Sequence, residues 1–191
     1  MNGLVYHHLD ENEVRRMMLT SWEEEREELI TAGLERDCYG KDLTDEGWEA
    51  FINAMPTALE QETDLWLAGQ MELDAYWKPQ RWDKRGRWVN YNKPQALEML
   101  SISEFNIAYI RGLATALQAE GTEECEIFRA GSAMEKDKEC TAWERKAFPV
   151  QQLIDGHRAR YWPPPGDRAA WSLPTQPGCH HSICRIGAGQ F

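Results

Sequence analysis

The chain has 191 residues, 32 of them acidic and 21 basic, with a net charge of −11 and nine tryptophans. That length gives one core of ordinary size or a helical unit with a small appendage, and so large an acid surplus repels nucleic acid except where a local patch is basic. No run reaches the roughly 18–20 apolar residues that span a bilayer, and Met1 to Asp10 has no cationic stretch leading into an apolar one, so neither membrane contact nor a leader is expected.

The first helix is predicted from Asp10-Glu11-Asn12-Glu13, an acidic N-cap. Val14, Met17, Met18 and Trp22 then recur at helical spacing before Leu29, Ile30 and the stop at Gly33. Glu23, Glu24, Glu25, Glu27 and Glu28 read as its solvated face. His7 and His8, just ahead of it, read as an exposed tail pair, and Cys38 beside Tyr39-Gly40 as a packed thiol. A second helix opens near Thr44, buries Trp48, Phe51 and Ile52, and is punctuated by Pro56. Thr57-Ala58-Leu59-Glu60 has the form of a capping box, so Leu59, Leu65, Trp66, Leu73 and Trp77 are expected on a third helix ending before Pro79.

Residues 78–94 change character. Lys78, Arg81, Lys84, Arg85 and Arg87 interleave with Trp82, Trp88 and Tyr91, and Gly86 sits where a hairpin would turn. A basic island on an acidic protein suits contact with DNA phosphates or with an acidic neighbour; the alternative is a loop whose arginines pair with the chain's own acidic helices.

Ser101-Ile102-Ser103-Glu104 is another capping box, leading a helix with Phe105, Ala108, Tyr109, Gly112, Leu113, Ala116 and Leu117 on one face and its end at Gly121. Cys125 to Phe128 reads as a short strand. Beyond it Pro149, Pro163-Pro164-Pro165, Pro174 and Pro177 exclude long helices, leaving loops, short strands and turns. The expected class is therefore mainly α: a helical docking region over 1–100, with the basic loop at 78–94, followed over 101–191 by a small, loop-rich, Pro-rich α+β knob.

Four of the five cysteines and three of the five histidines fall between residues 125 and 184. An odd cysteine count spread over such a chain reads as thiols or metal ligands rather than a disulfide framework. Cys140, Cys179 and Cys184 with His157 or His181 form the candidate set for a structural zinc, which takes four tetrahedral N/S ligands. The other reading is small buried thiols and hydrogen-bonded histidines packing the knob, and a third is a nucleophilic Cys140 or Cys179 beside His157 or His181, oriented by Asp155. The carboxylates lie in solvated runs, and no phosphate-loop, dinucleotide or H-E-x-x-H pattern is present.

In order, the Ala- and Gly-rich helix, Ile127-Phe128, Asp137-Lys138-Glu139-Cys140, Phe148-Pro149, Gly156-His157 and Pro177-Gly178-Cys179 resemble the C-terminal part of the Mu-F-type phage head morphogenesis proteins, over about residues 101–186. Trp143 stands where the family's second C-x-x-C sulfur would be, and Gln176 where it has the histidine of H-P-x-C. The resemblance implies a non-enzymatic minor capsid protein of the virion head or neck, made in the host cytoplasm and present in multiple copies. It would bind portal, scaffold or major capsid protein near the portal. Kept open are a head-to-tail connector ring, a small metal- or thiol-dependent enzyme, and an inhibitor of a defence system.

Overall fold

The computed structural model describes residues 3–36, 40–82, 85–90, 92–131, 141–159, 173 and 180–188, except for the side chains at 81, 82 and 157–159. The chain is mainly helical, with a small three-stranded sheet toward its C-terminal end. No described helix is long and apolar enough to cross a membrane.

Helix α1 (Asn12–Ala32) follows the expected spacing, burying Val14, Met18, Trp22 and Leu29, and Gly33 closes it in the left-handed conformation. Its expected acidic cap does not form: Glu11 is the N-cap residue and makes no side-chain capping bond. Helix α2 (Asp45–Gln61) is capped by Thr44, whose hydroxyl accepts from the Gly47 N–H at 3.1 Å. It runs straight through Pro56, so Thr57 is interior and no new helix starts there. The proline forfeits one helical bond, but Phe51, Met55, Ala58 and Leu59 are fully buried on the same helix, and that burial outweighs the local preference. From α1, Arg15 caps the end of α2 by donating to the carbonyls of Ala58, Leu59 and Glu62 at 3.1, 3.1 and 2.8 Å. The expected third helix is shorter than its spacing suggested: α3 (Asp64–Gln70), capped by Thr63, followed by a 3₁₀ turn at Asp74–Tyr76.

Strands β1 (Gln80–Trp82) and β2 (Trp88–Asn90) form an antiparallel hairpin. Helix α4 (Lys93–Leu97), a π-helical stretch (Glu98–Ser103) and α5 (Glu104–Ala119) then run end to end. The capping box at Ser101–Glu104 is therefore inside a continuous helical rod, and Ser103 makes no capping bond.

Helix α5 packs antiparallel on α1. Gly112 makes that contact close, since a Cβ there would lie 2.6 Å from the Met18 backbone nitrogen. The other side of α5 meets the sheet, in which β3 (Glu124–Arg129) lies between β4 (Ala147–Pro149) and β5 (His181–Cys184), both antiparallel to it. Helix α6 (Val150–Ala159) also packs on α5 and was missed in the sequence. Pro149 directly precedes it, and a proline at a helix start costs nothing because that N–H is unpaired anyway. One apolar cluster runs from Leu9 through α1, α2 and α5 to Ile183, so the regions expected as 1–100 and 101–191 share a core.

Candidate functional site

Three polar groupings and one projecting arm are candidates. The most enclosed is on the sheet. His181 is fully buried on β5, opposite Arg129 on β3. Its Nε2 lies 3.2 Å from Glu144 Oε1, and the same oxygen accepts from Arg129 Nε at 2.7 Å. With Nε2–H donating to the carboxylate, Nδ1 carries the lone pair, and it is buried without a partner. Burial holds the His181 pKa below its ordinary value, with Arg129 adding to the effect and Glu144 opposing it. Asn106 donates to the His181 carbonyl at 2.8 Å, which ties α5 to the edge strand. Next door, His180 Nε2 pairs with Glu98 Oε1 of the π-helical stretch at 2.7 Å.

Among the described residues, the two non-glycine positions with positive φ are Arg145 (61°) and His180 (44°). Each adjoins one member of the Glu144–His181 pair. Left-handed backbone costs an L-residue roughly 1–2 kcal/mol, so the surrounding packing imposes this geometry. Chemically, a buried imidazole oriented by a carboxylate is the base half of a nucleophilic pair. The orienting group is Glu144, which sequence reasoning missed; Asp155, expected in that role, accepts instead from Gln151 at 2.9 Å on the exposed face of α6.

The proposed zinc ligands do not assemble among the described residues. His181 and Cys184 are three apart on one strand and therefore face opposite sides of the sheet. Cys184 packs with Phe128 and Ala130, whereas Ile183, on the His181 side, belongs to the main core. Cys140, Cys179 and the side chain of His157 lie outside the described residues. Among the described residues no three His, Cys, Asp or Glu side chains are grouped to hold a metal. Cys125, on the sheet's core side, donates to the Phe148 carbonyl at 3.6 Å, and burial pushes its thiol up to about 12, so it is a packed thiol rather than a ready nucleophile.

The second grouping joins the chain's two ends. His8 is buried, not an exposed tail: Nε2 accepts from the Arg185 backbone N–H at 3.1 Å and Nδ1–H donates to Glu11 at 2.8 Å. The Arg185 guanidinium reaches Glu11 at 3.0 Å and Glu120 at 2.5 and 2.9 Å. That cation holds both carboxyls below the usual carboxylate range. His7 stacks against Phe128 with ring centroids 4.5 Å apart. Earlier in the same segment, buried Asp64 accepts from the Leu4 N–H at 2.9 Å and the Tyr6 hydroxyl at 3.3 Å. The segment before α1 is thus a strap that joins the sheet, through Val5 on the Ala130 carbonyl and His7 on Phe128, to α5, through Tyr6 on Phe105 and Tyr109.

The third grouping removes one residue from the acidic face of α1. Glu25 turns inward to pair with Arg111 of α5, which also donates to the Ser21 carbonyl at 3.0 Å. Glu104 sits beside this pair, and burial followed by the Glu25 charge pushes its carboxyl up to about 8.

The arm carries the basic island. Its register sets Trp82 opposite Trp88 and Arg81 opposite Val89. Lys78 does not reach the tip: it donates to the Lys41 carbonyl at 2.6 Å at the arm's base. Lys93 likewise binds Asp74 and the Glu72 carbonyl. Arg85, Arg87 and Trp88 are exposed, while Lys84 and the Arg81 side chain lie outside the described set.

Comparison of the chain with known protein families, with curated proteins and with solved structures gave no match.

Proposed function

We propose that the protein is a phage virion structural protein of the minor capsid or head morphogenesis type, acting by protein–protein binding near the portal during head assembly or DNA passage. What supports this reading is the company its resembling segments keep. The Ala- and Gly-rich helix is α5, Ile127-Phe128 is in β3, and Phe148-Pro149 is in β4. These elements, with α6 and β5, pack as one α+β layer against α1. Asp137-Lys138-Glu139-Cys140 and Pro177-Gly178-Cys179, also members of the set, lie outside the described residues; those that are described pack together.

The remaining α1, α2 and α3 surface, acidic and carrying exposed Ile30 and Leu65, is the docking side in this reading. The chain's own groups act by shape and charge, and no catalytic step is needed. The test is co-expression with the portal, scaffold and major capsid proteins encoded in the same genome, followed by affinity capture and sizing. Co-elution with one of them is expected. Separate elution from all three, with the chain folded, would overturn the reading.

A further inference from the structure

Among the described residues, none of the β1–β2 arm belongs to the apolar cluster that unites the rest of the chain. Among the described elements, the substantial packing partner of each strand is the other strand. The arm's root is fixed to the body: the Lys78 N–H donates to the Asp42 carbonyl at 3.0 Å and Trp77 bridges to Leu43. Trp88 is 64% exposed, unusual for the residue with most apolar surface to hide. Residues 78–93 hold Lys78, Arg81, Lys84, Arg85, Arg87 and Lys93 against Asp83 alone, a net +5; with the whole chain at −11, the other residues sum to −16.

We propose that this hairpin is a DNA-contacting arm, in which Arg81, Arg85 and Arg87 meet phosphates and the Trp88 indole lies against sugar or base. The inference stands apart from the virion reading and would hold for any acidic protein that must touch DNA at one place. Three features favour DNA over an acidic protein partner. A two-stranded ribbon is one of the two shapes the major groove admits. Arginines alternating with an exposed indole supply both halves of nucleic-acid contact, charge along the backbone and a flat face for stacking. The arm's basal lysines, Lys78 and Lys93, are used to fix it to the body, which sets the arginine-bearing turn at Gly86 (φ 71°) at the far end. An acidic body at −16 resists close approach to a polyanion, so the contact is confined to the tip.

The experiment uses the full chain and a fluorescein-labelled DNA duplex of about 30 base pairs, read by anisotropy from 25 to 200 mM salt. The expected result is binding that weakens with salt at a log–log slope of about −3, as release of about three counterions requires. R81A/R85A/R87A should lose at least about tenfold in affinity at low salt and most of that slope. W88A should lose about threefold or more while keeping the slope. Circular dichroism and melting of both variants establish that the body is folded. Absence of binding by the folded wild type at 25 mM salt would overturn the proposal. So would equal binding by the triple variant, or poly-glutamate bound as tightly as DNA with no dependence on Trp88. Sedimentation showing that the triple variant loses only self-association would assign the arm to a second copy of the chain.

Discussion

The two small sheets of this protein use similar residues to opposite ends. In the β1–β2 arm, Arg85, Arg87 and Trp88 are exposed and, among the described elements, each strand packs mainly on the other. In the β3–β4–β5 sheet, Arg129, Glu144 and His181 are drawn into the protein and paired, with α5 on one face and Leu4 and His7 of the strap on the other. The first arrangement leaves Arg85 and Arg87 at the surface, where a charge contributes little to stability. The second spends charge on holding elements together, because a partly buried ion is tolerable only when its partners are in place.

The largest effect that sharpens this contrast is expected from Arg129→Met, which leaves Glu144 and His181 without their cation. Urea unfolding should show a loss of about 3 kcal/mol. A loss below about 0.5 kcal/mol would mean that the sheet's polar cluster is as dispensable as the arm's charges.

Next is pH, where two groups pull in opposite directions. Glu104 keeps a proton in the folded state up to about 8, whereas an unfolded glutamate loses it near 4.3. Its contribution is full at low pH and declines as pH rises between those values. Because the residue is partly exposed, the decline should be on the order of 1 kcal/mol rather than the whole shift. Glu104→Gln should flatten it. His181 is neutral when folded, with its pKa lowered chiefly by burial, so the unfolded chain takes up a proton first and stability falls as pH drops below about 6.5. Melting curves across pH 5 to 9 for the wild type and for His181→Asn should show that acid limb shrinking in the variant.

Arg185→Ala should cost about 1 kcal/mol, since its partners are only half buried. Its clearest sign would be faster amide exchange in residues 4–8 as the strap loosens. In the wild type the same strap should loosen in acid, because Glu11 and Glu120 have lowered pKa values and their contribution is lost as pH falls through them. Smallest of all, Arg85→Ala with Arg87→Ala should shift the melting free energy by less than about 0.5 kcal/mol.

Much of the helical part was legible in the sequence, because α1, α2 and α5 each bury a stripe at helical spacing. The errors came from local signals that packing overrode. Pro56 is a breaker by composition, yet the burial of Phe51, Met55 and Leu59 carries the helix past it. Ser101–Glu104 has a cap's letters but lies between two helical stretches that continue each other. Helix α6 was hidden by surrounding prolines. At the candidate site, histidine clustering drew attention to His181, but its partners Glu144 and Arg129 are 37 and 52 residues away in sequence and become neighbours only through the pairing of β3 with β5 and the turn before β4. Short-range reading has no access to that. The basic island was plain in the sequence, while its projection as an arm, and the diversion of Lys78 to the arm's root, needed the structure.

The proposal that this chain is a virion protein is tested most directly by quantitative mass spectrometry of particles purified from the cells that make it. A virion protein would be present in heads or head precursors at a constant ratio to the portal protein and would persist through high-salt washing. Its absence from every particle fraction, in infected cells where the chain is plainly made, would contradict the account.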